Sequence, residues 1–543
     1  MSRFIELFAG CGGMSLGLHA SGFELAMANE LSPMAAETFA YNHLNVDLQA
    51  SSTTTAKSVL WLGSKYPRTR LKDRLRENPY DYPDWASGGY TDIPASGLTG
   101  QGQLVVGSIV SLNKHLKEEF IQHPQRRNRF SVDLVSGGPP CQSFSMAGLR
   151  QRDNHRNQLP WEFASFVKLV RPKVALLENV SGILRAFRQD GEEFHAWREV
   201  AKAFTAVGYA PICIHANAKY VGVAQNRPRF LMFAVRKDLA ESIIEQQITA
   251  SERSALQQAL DTFDKNFDWN LLRYWDVAQS SDQDLFDGSI FRHLLTTPDK
   301  NNWTTAEDAI SDLENITNKN IQPSIYVNRI NETFGKFVPR QKIKNIERRK
   351  HGLRVQQRFR LYQVLEGLGD RSLSRAIAKA FKDGDQVTLS QLASPLLHHK
   401  FLFAEGQKLR LPADVNEIVS LVVSLRTKKH SQRALIADRP SPAALSIPDD
   451  CCHYSSDHLR TLSVREVARI QSFPDSFEFR SKVTTGGDSR KFEVPQYTQA
   501  GNAVPPLLAK QAGEVVQELL RLATPTEQAV RLEAVISGQL LEI

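Results

Sequence analysis

The sequence predicts an α/β protein with a Rossmann-like, doubly wound and mostly parallel sheet, joined to a smaller, irregular second domain. Three observations carry that expectation. At the N-terminus an apolar run leads directly into a glycine turn and a helix start. Short apolar runs then alternate with helical stretches across residues 1–235, the pattern of a parallel sheet. Polar residues recur at the carboxyl ends of those runs, the edge where open α/β sheets hold their ligands.

Residues 4–8 form the first apolar strand, followed by Ala9, Gly10, Cys11, Gly12 and Gly13 and then a helix start from Met14. Strand, glycine turn and helix make the opening unit of a nucleotide-binding sheet. Glycines let the backbone approach a ligand closely, and a helix N-terminus favours a negative group. The second strand, residues 23–29, ends at Glu30, about twenty residues past the turn, where such folds place a carboxylate for ribose hydroxyls. A purely structural turn followed by a surface Glu is the alternative. Residues 132–135 read as a buried strand, ended abruptly by Gly137, Gly138, Pro139 and Pro140. Cys141 sits on that turn, either as chemistry or as a small packed cysteine. A helical stretch over 161–170 leads to a strand at 173–177, which ends in Glu178, Asn179 and Val180. A strand at 210–216 precedes Gln225, Asn226, Arg227, Pro228 and Arg229, and 230–235 is the next strand.

The chain has 543 residues, 41% hydrophobic and 23% charged, values ordinary for a soluble globular protein of several units. It contains no apolar run of about 18 residues and no signal-peptide pattern, so a membrane role is not expected. Five cysteines at irregular spacing argue for reduced thiols in a cytosolic compartment. Cys451 and Cys452 lack a matching pair, and no metal site is expected. Net charge is +8. The excess is concentrated in Lys336, Arg340, Lys342, Lys344, Arg348, Arg349, Lys350, Arg354, Arg358 and Arg360, opposed by Glu347 alone. That run reads as a phosphate-binding surface, the alternative being a solvated helical face.

Taken in order, several segments resemble the DNA (cytosine-5)-methyltransferase family, bacterial restriction–modification type. They are Phe8 to Gly13, Glu30, Gly138 through Cys141 to Ser145, Glu178 to Val180, and Gln225 to Arg229. Near the C-terminus come Arg465, Glu466, Arg469, Gln471 to Asp475, and Gly501 to Pro505. The resemblance covers about 1–235 and 440–520 and is weak in 48–104 and 236–440. It implies a catalytic and cofactor-binding domain at 1–235 with an insertion at about 48–104. A target-recognition domain would follow at 236–440, a return to the catalytic domain at 441–525, and a tail at 526–543. The insertion reads as ordered and loop-rich.

The same resemblance implies an S-adenosylmethionine-dependent enzyme. Cys141 would be the nucleophile on a flipped-out cytosine, Glu178 would hold the base, Arg229 would meet its O2 oxygen, and Arg227 would stand nearby. Phe8 would face the cofactor's adenine and Glu30 its ribose. Gly10, Cys11, Gly12 and Gly13 would lie along its methionine part, and Pro140, Leu159 and Asn502 would line the pocket. In place of the family's Gly-Asp-Ile the chain has Gly107, Ser108 and Ile109, so either Ser108 or Asp47 meets the adenine amine. Ser145, Gln225, Lys342, Lys344, Arg348 and Arg349 are the DNA-binding candidates, with residues 142–158 as a loop closing over DNA. Gln341, Gln356 and Gln357 could read base edges. The implied partners are double-stranded DNA and a cognate restriction endonuclease acting on the same site without an obligatory complex. The protein would be a monomer in the bacterial cytoplasm. The alternatives are a tRNA cytosine-5 methyltransferase, a catalytically silent DNA-binding relative and a nucleotide-dependent oxidoreductase. The intact Cys141 and Glu178, and the absence of cysteine from 236–440, weigh against them.

Overall fold

The computed structural model describes residues 1–50, 57–140, 158–189, 192–314, 322–340, 342–405, 408–427, 432–443 and 447–523. The chain divides into two compact units. One comprises Met1–Val221, Pro228–Pro298 and the chain from Pro506 on, and the other comprises Gly222–Arg227 and Asp299–Pro505.

The first unit is built on a ten-stranded sheet. Its strands are β1 (Ser2–Leu7), β2 (Phe23–Glu30), β3 (Val59–Ser64), β4 (Tyr90–Thr91), β5 (Gln103–Val106) and β6 (Leu134–Gly137). They continue with β7 (Val174–Val180), β8 (Tyr209–Asn217), β9 (Pro228–Arg236) and β10 (Trp275–Asp276). The spatial order is β10-β8-β9-β7-β6-β1-β2-β5-β3-β4. From β7 through β6, β1, β2 and β5 to β3 every pairing is parallel. β9 runs against its neighbours β7 and β8, and at the far edge β4 runs against β3. The central strands are buried on both faces, which is why they read as short continuous apolar runs rather than as alternation. Ile5, Leu7, Val135, Leu177 and Met232 are fully buried in one core with Phe163 and Val167 of the helix Leu159–Val170. Truncating one such residue to Ala would cost about 2–5 kcal/mol.

Two features of this unit differ from the sequence expectation. Part of the stretch at 48–104 does not loop away from the sheet but extends it. The apolar run Val59 to Leu62 forms β3 beside β5, and β4 pairs antiparallel with it. A buried ion pair, Arg74 to Asp92 at 2.6 Å, ties this edge together. The border at 235 also lies elsewhere. Residues 236–298 stay with the sheet because β10 pairs with β8, Ile214 opposite Trp275.

The second unit is mostly short helices. Leu353–Gly367, Arg371–Asp383, Gln386–Leu392 and Val415–Ser424 surround a core that includes Phe359, Leu365, Ile377, Phe381 and Ile418. Residues 447–505 belong to this unit rather than to the sheet. The reason is a buried polar hub on the helix Val464–Ile470, where Arg465, Glu466 and Arg469 have almost no exposed surface. Arg465 donates to the carbonyls of Lys344 (3.0 Å), Pro474 (2.8 Å) and Phe477. Arg469 pairs with Asp475 at 2.7 Å and with Asp312, and Glu466 pairs with Arg460 at 2.7 Å. Among the described residues no helix is long and apolar enough to cross a membrane.

Candidate active site

The glycine turn after β1 is tightly specified. Phe8, a non-glycine residue, takes a left-handed φ of 55°, and Gly10 and Gly12 follow at 56° and 96°. Left-handed backbone at a bulky residue is strained and concentrates at functional sites. A Cβ on Gly12 would lie 2.2 Å from His43 Nε2, whereas one on Gly10 would meet nothing within 4 Å. The turn therefore packs on the protein at Gly12 and is open at Gly10. His43 Nε2 is 3.0 Å from the Gly12 carbonyl, and burial pulls its pKa down to about 3, so the neutral ring donates to that carbonyl. Cys11 and Gly13 are buried in the turn and the helix start.

Glu30 closes this site from the end of β2. Its Oε2 accepts from Gly10 N at 2.8 Å and its Oε1 from Ser32 N at 2.7 Å. Burial raises its pKa, and these hydrogen bonds oppose the rise. Leu31 N also bonds this carboxylate, which still keeps acceptor capacity for a ligand hydroxyl. One strand over, Val106 is in register with Glu30, and Gly107 N donates to the Glu30 carbonyl at 3.0 Å. Ser108 follows and caps the helix Ile109–Gln122, its Oγ accepting from Val110 N at 3.2 Å. Asp47 instead accepts from Gln49 N at 2.9 Å and Ala50 N at 3.3 Å within its own turn. An open glycine turn, a half-buried carboxylate with acceptor capacity to spare and a helix start fit a ligand carrying a ribose.

A second constellation stands at the ends of β6, β7 and β9. Arg229 Nε is 2.7 Å from Glu178 Oε1, and both side chains are about nine-tenths buried. The register explains the pair. Glu178 opposes Leu231 and Arg229 opposes Val180, so the two side chains are diagonal neighbours on one face of an antiparallel pair. Burial draws the Arg229 guanidinium below its ordinary range, and the Glu178 carboxylate holds it up. Arg229 also donates to the Pro228 carbonyl at 2.8 Å. A Cβ on Gly138 would lie 2.9 Å from Glu178 Oε2, so only glycine leaves that carboxylate in place. Asn179 Nδ2 donates to the Pro139 carbonyl at 2.9 Å and fixes the turn that carries the exposed Pro140. Asn179 and Gly138 were not among the candidate residues. Their signal was their position, one beside the carboxylate and one in the turn.

Cys141, Ser145 and the rest of 141–157 lie outside the described residues, as does Gln341. Leu159 opens the helix Leu159–Val170 and packs on the core. The four described cysteines, Cys11, Cys213, Cys451 and Cys452, are buried, and burial pushes every one of these thiols up, Cys451 to about 12.

The remaining candidates belong to the second unit. Arg227 donates to the carbonyls of Ala443 at 3.3 Å and Ala503 at 3.0 Å, which gives it a positioning role there. Gln225 is buried, and its amide donates to the Pro442 carbonyl at 3.1 Å. Asn502 ends the helix Gln496–Asn502 and lines a small groove with Glu493 and Thr498. Gln356 and Gln357 donate to the carbonyls of His351 and Leu402. Residues 342–350 are irregular rather than helical, and the buried Asn345 (φ 64°) anchors them by donating to Phe479 O at 2.9 Å. Lys342, Lys344, Arg348 and Arg349 are exposed around that anchor. Arg348 donates to the carbonyls of Leu313 and Glu314, and Arg349 pairs with Asp449 at 3.3 Å.

The chain matches a family model described as C-5 cytosine-specific DNA methylase over residues 2–65 and 111–518. The type II methyltransferase M.DdeI of Desulfomicrobium norvegicum is 26% identical over 517 residues, 94% of this chain and 88% of that protein. M.AgeI of Thalassovita gelatinovora, also a type II methyltransferase, is 24% identical over 533 residues, 95% of this chain and 99% of that protein. M.NgoPII of Neisseria gonorrhoeae, a third, is 32% identical over 238 residues, 44% of this chain and 49% of that protein. The family match breaks at 66–110, where β4 and β5 lie, and resumes through both units. With most of its length inside that match, the glycine turn, Glu30, Glu178 and Arg229 included, the chain belongs to the C-5 cytosine-specific DNA methylase family.

Proposed function

We propose that the protein methylates cytosine at C5 within one short DNA sequence, as the modification enzyme of a type II restriction–modification system. The observation that carries this reading is the buried ion pair of Glu178 and Arg229 beside the turn leading to Cys141. Cytosine C5 is a poor nucleophile until a thiolate adds at C6. Cys141 forms that C–S bond, and the ring electrons move toward N3. Glu178 holds the proton at N3 and accepts from the exocyclic amine, while Arg229 donates to O2. When bound, S-adenosylmethionine would supply an electrophilic methyl group to C5 and leave as S-adenosylhomocysteine. C5 then loses its proton to a base, and the C–S bond breaks to release 5-methylcytosine and the thiolate. The target base must leave the duplex stack, at a cost of a few kcal/mol.

In this reading Phe8 faces the cofactor's adenine, Glu30 accepts from its ribose hydroxyls, and the backbone of Gly10 to Gly13 follows its methionine part. Pro140 and Leu159 line the same pocket. Ser108 serves the adenine amine better than Asp47, because it stands one strand from Glu30 and its hydroxyl oxygen keeps a second acceptor position. The protein works as a monomer on double-stranded DNA in the bacterial cytoplasm. A cognate endonuclease reads the same site independently. The test is bisulfite sequencing of mixed-sequence duplex DNA after incubation with protein and S-adenosylmethionine, with Cys141→Ser in parallel. One short motif protected only by the wild type is expected. Wild-type protein that binds the cofactor but leaves DNA unmethylated would overturn the reading.

A further inference from the structure

The second unit carries a groove of ≈ 410 Å³ that none of the candidate site residues above lines. Tyr362, Leu365 and Phe381 form its apolar floor, and Arg371, Arg375, Arg433 and Arg439 stand around it. Arg371 and Arg375 are one turn apart on the same face of the helix Arg371–Asp383, about 6 Å between Cβ atoms. Among the described residues, the guanidiniums of Arg371, Arg375 and Arg433 make no hydrogen bond or ion pair. Other arginines of this unit behave differently. Arg354, Arg358 and Arg360 all donate to backbone carbonyls, those of Ser424, Leu425 and Lys400.

Five basic side chains line the groove, against the carboxylates of Glu366 and Asp370. Asp370 is engaged as the cap of the helix, accepting from Ser372 N at 2.8 Å and Leu373 N at 3.1 Å. Glu366 forms no salt bridge with a described residue; burial raises its pKa, and Arg433, Arg371 and Arg439 only oppose that rise. Three neighbouring guanidiniums without a described partner repel one another unless a polyanion joins them. Arginine is the side chain suited to phosphate, which it can grip through two parallel hydrogen bonds.

We propose that this groove seats the sugar–phosphate backbone of the duplex and positions DNA without reading its sequence. The inference rests on the DNA methyltransferase reading. It shifts weight from Arg348 and Arg349, whose guanidiniums are already engaged, to Arg371, Arg375 and Arg433.

The test uses full-length protein and two duplexes, one with the methylated motif and one without, in fluorescence anisotropy between roughly 50 and 200 mM salt. Arg371→Gln with Arg375→Gln should weaken both duplexes by the same factor, roughly tenfold to a hundredfold. The slope of log affinity against log salt should fall by about 2, since each phosphate that is no longer neutralised removes about 0.9. Arg371→Lys with Arg375→Lys should keep most of the slope. Heat of cofactor binding checks that the variants are folded. Unchanged affinity and slope would overturn the proposal. So would a loss confined to the motif-bearing duplex, which would mark base readout, or a loss for structured RNA alone. Methylation by the wild type is scored separately, so failure of the methyltransferase reading stays distinct from failure of the groove.

Discussion

The two units hold their important side chains by different means. In the sheet unit, Glu30, Glu178 and Arg229 stand at strand ends, and each is fixed by a neighbour one strand away. In the other unit, Arg465 reaches the carbonyl of Lys344, and Arg227 reaches those of Ala443 and Ala503, residues far away in the chain. The first arrangement follows from strand register, so reactive groups inherit their geometry from the sheet. The second depends on buried guanidiniums that satisfy loop carbonyls, so one residue holds several segments. Losses at the strand ends of the sheet unit should therefore appear in the chemical step as well as in stability, and losses in the other unit in stability and DNA affinity.

The largest effect expected is that of Glu178→Gln. It removes the group that holds the base and leaves Arg229 buried without its anion. The rate of methyl transfer in a single turnover should fall by about 10²–10⁴, and chemical denaturation should show a loss of about 3–5 kcal/mol. A rate within threefold of wild type would break the comparison at its strongest point.

Arg465→Met should come next. Three carbonyls lose their donor, at a cost of about 1–3 kcal/mol for each left buried and unpaired. Calorimetry should show an early transition for part of the molecule, with weaker DNA binding and an unchanged heat of cofactor binding. Equal loss of cofactor affinity would show that the hub also supports the sheet unit.

The smallest effect concerns Glu6, buried in β1 and hydrogen-bonded by Ser15 Oγ. Burial raises its pKa from 4.5 to about 8. A raised carboxyl is most favourable while neutral, so its contribution is complete below about pH 4.5 and is lost as pH rises through 8. Glu6→Gln should match wild type at about pH 5 and exceed it above about pH 8 by on the order of 1–3 kcal/mol. Parallel pH dependence of melting in the two proteins would sharpen the comparison against a tuned carboxyl beneath the glycine turn.

Much of the sheet was legible in the sequence. β1, β2, β7, β8 and β9 lie within a few residues of the expected runs, because buried parallel strands leave a compact apolar signature. Glu30 and Glu178 were visible as carboxylates ending such runs. β3 was not recognised, since Val59 to Leu62 sits among aromatic residues, prolines and glycines that read as loop. The basic run at 336–360 was visible as charge. Its irregular backbone at 342–350 and the engagement of Arg348 were not, because charge composition says nothing about which carbonyls lie within reach.

The sequence by itself determined the class of sheet, the glycine turn, and which acids and bases end its strands. These follow from local periodicity, which does not depend on distant partners. Only the tertiary structure decided that Arg229 meets Glu178, that Gly138 must stay small beside that carboxylate, and that Asn179 holds the Pro139 turn. It also decided that Arg371 and Arg375 face a groove while Arg348 is spent on backbone carbonyls. Pairing and burial are long-range facts, set by which strands become neighbours and which carbonyls would otherwise be left without donors.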